Sequence, residues 1–181
     1  MRVFFDFEFT GLHQKTTPVS MAMVTEDGSR HFYAEFTDYS GGQVDKWLLE
    51  NVLPHLELQG TLGVNQYREV ETGSLTVRGI RQYIGEMAGA WLTSLGDRVE
   101  MWGDVLAYDW VLFCELFGGA QQIPTNIHYI PRDLSYLLAA RGHDIDVDRV
   151  AFVGLDRAVT THHALSDTLV SILCYRKLME S

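Results

Sequence analysis

The first strong pattern in the chain is an apolar run interrupted by two acids, from Val3 to Phe9. The alternation predicts a β-strand over about residues 2–9, in which every second side chain shares a face. Asp6 and Glu8 would then point the same way, with three phenylalanines on the opposite face. Because neighbouring carboxylates repel each other and resist desolvation, the strand predicts a site for a divalent cation, which oxygen ligands would bind.

Two further apolar runs, Val19–Val24 and Arg30–Phe36, each predict another strand. Glu26–Ser29 between them is typical of a hairpin turn. The first three strands are therefore expected to form an antiparallel meander. Residues 56–73 show no clear period and predict an irregular connection.

The rest of the chain alternates between helical and strand patterns. Helices are predicted from apolar positions at helical spacing over Gln43–Asn51, Leu75–Leu95, Val105–Phe117, a segment ending near Ala140, and about residues 161–178. Short strands are predicted at Arg98–Trp102 and Ile127–Ile130. This order predicts an α/β fold: a mixed sheet, with an antiparallel three-strand meander and parallel strands, flanked by helices.

Two of these helices carry apolar stripes that predict which side packs inward. On the first helix the stripe consists of Trp47, Leu48 and Val52. On the last helix it consists of Leu165, Leu169, Ile172 and Leu173. Asp167 is expected to point away from the second stripe.

Length and composition narrow the class of protein. With 181 residues, 46% of them hydrophobic, residues 1–181 are expected to form a single domain with its own core. Without a spanning segment or a signal peptide, a cytoplasmic location away from membranes is the default expectation. Cys114 and Cys174 lack zinc spacing and predict buried free thiols. The net charge of −10 argues against a protein that simply coats nucleic acid, but not against an enzyme that gathers acids around cations.

Two more acids could complete a site with the first strand. Asp109 is the only charge between Val105 and Cys114, so burying it without a partner would be costly. An exposed helical position is the alternative for Asp109, and Asp104 is its rival, although Asp104 is more simply a helix N-cap. Asp167 could instead form an i,i+4 pair with His163.

Either of two adjacent histidines is a candidate general base, because imidazole titrates near neutral pH. His163 lies one helical turn before Asp167 and would share its face. His162 lies about where the helix starts, and a loop there could turn it toward a reacting water. Geometry alone leaves the choice between them close.

Taken together, these motifs resemble the DEDDh superfamily of 3′→5′ exonucleases. Asp6–Leu12 matches the first motif, Ala107–Asp109 the second, and His162–Asp167 fits the pattern H-x-A-x-x-D of the third. The resemblance spans nearly the whole chain in motif order and implies an RNase H-like fold. Asn51–Pro54 and Tyr108–Val111 are similar to small bacterial and phage exoribonucleases related to RNase T and oligoribonuclease.

The resemblance implies a metal centre with four carboxylates. Asp6, Glu8 and Asp167 would hold one divalent cation. Asp6 would also bridge to a second cation, which Asp109 would support. Ligation by oxygen alone favours Mg²⁺ or Mn²⁺ over zinc. This chain departs from many relatives at Gly103–Asp104, where an extra acid leaves the ligands of the second cation open.

The same resemblance assigns roles to residues around the metal centre. The register of the third motif selects His162 rather than His163 as the general base. Thr10, Gly11 and Leu12 would approach the terminal nucleotide, with Leu12 against its base.

The expected activity is that of a metal-dependent 3′→5′ exoribonuclease, which hydrolyses phosphodiesters with two metals and releases nucleoside 5′-monophosphates. Its partners would be single-stranded RNA or RNA 3′ ends. A 3′→5′ exodeoxyribonuclease acting on single-stranded DNA and a catalytically silent nucleic-acid-binding domain are the alternatives. A zinc site at the two histidines is disfavoured, because no cysteine or spaced histidine lies nearby. Relatives of this size often form homodimers, and that state stays open.

Overall fold

The computed structural model describes residues 1–96, 98–155 and 161–180, and a mixed β-sheet lies at its centre. Its seven strands in the described residues are β1 (Arg2–Phe9), β2 (Pro18–Thr25), β3 (His31–Phe36), β4 (Gln66–Glu71), β5 (Ser74–Gly79), β6 (Glu100–Gly103) and β7 (Arg132–Asp133). They lie in the order β4-β5-β3-β2-β1-β6-β7. The predicted antiparallel meander is confirmed, because β2 pairs antiparallel with both β1 and β3.

Six α-helices flank the sheet within the described residues. They are α1 (Lys46–Asn51), α2 (Arg81–Ser94), α3 (Ala107–Glu115), α4 (Leu134–Ala140), α5 (Arg149–Val153) and α6 (Ala164–Glu180). Two short 3₁₀ helices, Gly41–Gln43 and Leu53–His55, lie on either side of α1. No helix in the described ranges combines the length and the apolar character needed to span a lipid bilayer.

The two faces of β1 pack against different helices. Phe5 and Phe7 belong to the larger core, which contains residues of α2 and α3. Phe4 belongs to a second core on the other face, which contains residues of α4 and α6. Because side chains alternate along a strand, Asp6 and Glu8 share the face of Phe4 and are directed toward α6.

The parallel neighbour of β1 stops short of the acids. β6 pairs with β1 only from Arg2 to Phe4, whereas β2 pairs along the strand as far as Phe9. The carboxyl-terminal half of β1 is therefore open on its β6 side within the described residues. This opening is where the first turn of α3 arrives.

Two predictions for the middle of the chain are wrong. Leu75–Gly79 is the strand β5, parallel to β3, and only the part from Arg81 onward is helical. The predicted irregular connection contains β4, an exposed edge strand paired with β5. The apolar spacing of Leu75–Gly79 suits either structure, and the decisive hydrogen bonds come from a strand about 40 residues earlier in the chain.

Further differences concern short elements and helix faces. Ile127 forms a single bridge with Val99 rather than a strand, and α5 was not predicted. On α6 the predicted stripe is confirmed at Leu165 and Ile172, which pack in the core, and wrong at Leu169 and Leu173, which are 44% and 37% exposed. The reason is that α6 contacts β1 and β2 as well as α4 and α5, so its buried face is wider than the stripe and displaced from it. The prediction of two buried free cysteines is confirmed.

Candidate metal and nucleic-acid site

Three predicted acids converge between β1 and α6. One carboxylate oxygen from each of Asp6, Glu8 and Asp167 lies within 4.8 Å of the other two. Asp6 and Glu8 reach this position because they share one face of β1, and Asp167 lies in the first turn of α6, which packs on that face. Residues at opposite ends of the chain thus form one cluster, hereafter the acid trio.

Asp109 approaches the same strand from α3. Its side chain is only 7% exposed, and its Oδ1 accepts a hydrogen bond from the Phe7 backbone N–H at 2.9 Å. Phe7 lies between Asp6 and Glu8 on the part of β1 that β6 leaves unpaired. The alternative of an exposed helical position is therefore excluded. Asp109 supplies the acceptor that a neighbouring strand would otherwise provide.

The acids are electrostatically strained when no cation balances them. Burial, with added repulsion from Asp109, Glu8 and Asp167, raises the pKa of Asp6 well above its usual value. Burial and the nearby Asp167 raise the pKa of Glu8 to about 8. Burial raises the pKa of Asp109 to about 6, although the hydrogen bond from Phe7 opposes the rise. A bound divalent cation would favour all these carboxylates in their charged form.

The two adjacent histidines have different surroundings. His162 is exposed, has a positive φ of 60°, and lies with its ring edge-on to Trp47 at 4.8 Å between centroids. The His163 ring is buried and packs against Tyr33 at 5.1 Å, and burial lowers its pKa. The expectation that the His163 side chain shares a helical face with Asp167 is wrong, because α6 begins after it, at Ala164. The hydrogen bonds between the two residues use the His163 backbone: its N–H lies 3.2 Å from Asp167 Oδ2, and its carbonyl accepts from the Asp167 N–H at 3.0 Å.

Asp104 is not the N-cap of α3. Leu106 holds that position without a side-chain cap, and the Leu106 N–H donates to Asp133 instead. The Asp104 carboxylate is bound by Arg149, whose Nε and Nη2 lie 2.7 and 3.0 Å from its two oxygens. Arg149 also donates through Nη1 to the carbonyl of Val147. The extra acid of this chain, Asp104, is thus paired with the guanidinium of Arg149.

All eight predicted site residues line one cavity of about 790 Å³. They are Asp6, Glu8, Thr10, Gly11, Leu12, Asp109, His162 and Asp167. Leu12 is 76% exposed, whereas Thr10 is buried and its hydroxyl donates to Gln43 Oε1 at 2.6 Å. Thr10 therefore fixes the loop, and Leu12 presents apolar surface to whatever enters the cavity.

Sequence reasoning missed several residues of this cavity, among them Trp47, Val105 and Arg149. Trp47, predicted to face the core, is 49% exposed and lines the cavity, whereas its neighbour Leu48 is buried as predicted. Val105 is 66% exposed and has φ of 50°, a strained value for a β-branched residue. Arg149 lies 45 positions from its partner acid, and no periodicity links the two.

Comparison with known proteins supports the sequence resemblance. No family model matches the chain. Two curated proteins named 3′-5′ exoribonuclease, from the CDC 1551 and H37Rv strains of Mycobacterium tuberculosis, are each 28% identical to it over 142 residues. The matched region covers 78% of this chain and 76% of each relative.

A solved structure shows the same fold. The RNase domain of the yeast Pop2 protein matches 98% of this chain and 77% of its own, with a TM-score of 0.59 and 13% sequence identity. The RNase H-like fold class predicted from the sequence is therefore confirmed. With relatives that carry the name 3′-5′ exoribonuclease, the resemblance of this chain to the 3′→5′ exonucleases is confirmed as well.

Proposed function

We propose that the chain is a metal-dependent 3′→5′ exoribonuclease that releases nucleoside 5′-monophosphates from single-stranded RNA. The observation that carries the proposal is the acid trio, which lies in one cavity with Asp109 and His162. The names of the curated relatives support the reaction and the choice of RNA. The single-domain organisation, a homodimer and a cytoplasmic location stay predictions.

The donor set fits a hard divalent cation. Asp6, Glu8 and Asp167 offer only oxygen, and their crowding is costly without a counter-charge. These three would hold one cation, and Asp6 with Asp109 would hold the second. Mg²⁺ or Mn²⁺ suits such a set better than zinc does. When bound, the cations would lower the pKa of the attacking water and stabilise the charge on the phosphate oxygens.

His162 is the side chain that we assign to proton transfer. Its imidazole lies at the cavity wall and is exposed, so it can reach a water there. His162 would accept the proton as the water oxygen attacks the terminal phosphodiester phosphorus. The bond to the 3′ oxygen of the preceding nucleotide would break, so the terminal nucleotide would leave as a 5′-monophosphate. His163 is excluded from this role because its ring packs against Tyr33.

The apolar rim of the cavity would hold the terminal nucleotide. Gly11 has a φ of 151°, a value that other residues rarely adopt, so the backbone can lie close to a ligand there. Leu12 and Trp47 would contact the base, because both expose apolar surface to the cavity. Thr10 would support this loop through its bond to Gln43.

A nuclease assay with matched substrates tests the proposal. A 3′-labelled RNA oligomer and single-stranded DNA of the same sequence would be incubated with the protein, with Mg²⁺, Mn²⁺ or EDTA. We expect mononucleotides from RNA only when a cation is present, and loss of release in Asp6→Asn and Asp167→Asn. Asp146→Asn, an exposed acid outside the cavity, is the control and should retain activity.

Two other results would separate the alternatives. Faster release from DNA than from RNA would favour the exodeoxyribonuclease. Binding of Mn²⁺ and RNA by the wild-type protein without any turnover would favour a silent binding domain. Full activity in both the Asp6→Asn and Asp167→Asn variants would refute the assignment of this site.

A further inference from the structure

A second cavity lies directly behind one wall of the first. Its volume is about 730 Å³, and it lies between the loop that joins β1 to β2 and the outer side of α3. Lys15, Arg81 and Tyr108 are among its lining residues, and we call it the Lys15 cavity. None of the acid trio lines it.

The two cavities are neighbours because they share the same two walls. Gly11 and Leu12 line the first cavity, and the next five residues of that loop, 13–17, line the Lys15 cavity. Phe9 lines the first cavity, and its ring stacks at 5.7 Å on the ring of Tyr108, which lines the second. A ligand too long for the first cavity would therefore extend into the Lys15 cavity.

The Lys15 cavity is cationic in a protein whose net charge is −10. Lys15 and Arg81 line it together with one acid, Glu115, and the ring of His13. Within residues 1–96, 98–155 and 161–180, the ammonium of Lys15 and the guanidinium of Arg81 form no hydrogen bond or ion pair. Many of the other cations, such as Arg149, are bound to acids or carbonyls. Two uncommitted cations thus line the cavity that adjoins the one with the acid trio.

The backbone at both cations is held in place while their side chains stay available. Gln43 Nε2 donates to the Lys15 carbonyl at 3.0 Å, and the Gly11 N–H donates to Thr16 Oγ1 at 3.1 Å. The Arg81 N–H donates to both carboxylate oxygens of Asp38, at 3.0 and 3.1 Å. The backbone that carries the two cations is therefore fixed before any ligand binds, which lowers the entropic cost of binding an anion.

We infer that the Lys15 cavity binds the single-stranded polynucleotide on the 5′ side of the bond to be cut. Lys15 and Arg81 contact its phosphates, and the Tyr108 ring contacts a base or ribose. The inference rests on the proposed function, since it assigns the upstream part of that substrate. It predicts that oligomers bind more tightly than short fragments, which fill only the first cavity.

Binding and turnover together test the inference. Fluorescence anisotropy would compare a labelled RNA 10-mer with a labelled dinucleotide, in Ca²⁺, for the wild type and the Lys15→Ala/Arg81→Ala double variant. We expect about tenfold weaker binding of the 10-mer, with the dinucleotide unchanged. Loss of two phosphate contacts should also lower the slope of log Kd against log salt by about 1.4. Arg68→Ala/Arg98→Ala, which also removes two exposed cations but at positions that line neither cavity, is the charge-matched control.

The turnover measurement separates this inference from the proposed function. The p-nitrophenyl ester of a nucleoside 5′-monophosphate would occupy only the first cavity, so its hydrolysis should be the same in the wild type and the double variant. The KM of the 10-mer should rise about tenfold without a change in kcat. A second outcome is that the wild type binds the 10-mer with the expected dependence on Lys15, Arg81 and salt but hydrolyses neither substrate. That result would refute the proposed activity and still support the upstream site. Equal affinity for the 10-mer in Lys15→Ala/Arg81→Ala and in Arg68→Ala/Arg98→Ala would overturn the upstream site.

Discussion

Replacing Glu8 by glutamine should change how the stability of the metal-free protein depends on pH. Burial, together with Asp167 and Asp109, raises the pKa of the Glu8 carboxyl from an ordinary 4.5 to about 8. Glutamine keeps the size and polarity of the side chain but cannot ionise. The variant therefore removes one charge from the acid trio without removing the contacts of the side chain.

The sign of the effect follows from proton binding. The unfolded chain releases the Glu8 proton near pH 4.5, whereas the folded protein keeps it until about pH 8. Between these values the folded state binds more protons, so its free energy of unfolding falls as the pH rises. The limiting slope is about 1.4 kcal/mol per pH unit for one proton. From pH 5 to pH 8, the wild type should lose up to about 4 kcal/mol relative to Glu8→Gln.

Urea unfolding in EDTA at pH 5, 6, 7 and 8 measures this difference. The useful quantity is the wild-type free energy of unfolding minus that of Glu8→Gln, because other titrating groups such as His31 and His163 then cancel. Glu86→Gln, an exposed glutamate on α2, is the matched control and should show no trend. Excess Mg²⁺ at pH 8 should stabilise the wild type more than the variant. A difference that stays constant across these pH values would refute the reasoning.

Three further predictions follow from single contacts. Asp109→Asn should keep the hydrogen bond from the Phe7 N–H but lose turnover. Asp109→Ala should lose turnover and also lower the free energy of unfolding by about 1–3 kcal/mol, measured by urea titration. Arg149→Ala should destabilise the fold by about 3 kcal/mol because it leaves the partly buried Asp104 unpaired. Adding Asp104→Asn to this variant should restore part of the lost melting temperature. His162→Ala should lower kcat by about 10²–10⁴ with little change in melting temperature, and a larger loss of kcat in His163→Ala at equal stability would contradict the assignment.

The sequence predicts the fold correctly where a local pattern is compatible with only one type of secondary structure. Alternation in Val3–Phe9 places Phe5 and Phe7 in one core and the two acids on the other face, as the structure shows. The hairpin between β2 and β3 follows equally from a turn signal between two apolar runs. In both cases residues close in the sequence determine the structure.

The predictions from the sequence are wrong where contacts with residues distant in the chain determine the structure. Ser74–Gly79 is a strand because β3 provides hydrogen bonds to it, and its own spacing also suits a helix. Asp104 reads as a helix cap until Arg149, 45 residues later, is brought beside it. The same limit applies to His163, whose face depends on where α6 begins. Successive side chains are about 100° apart only within a helix, so the helical pattern does not predict the direction of a residue that precedes it.

Buried phenylalanines on the opposite face of β1 explain why the strand tolerates two acids. Phe5 and Phe7 are 2% and 3% exposed, and burying each contributes about 2–3 kcal/mol. That is comparable with the cost of about 4 kcal/mol worked out above for an ionised Glu8 at pH 8. Asp109 adds a hydrogen bond on the edge that β6 leaves open, so the strand stays in place although its acids repel each other. The aromatic face thus holds the acids in a geometry that is unfavourable without cations, and a strand held in this way is ready to bind them without rearrangement.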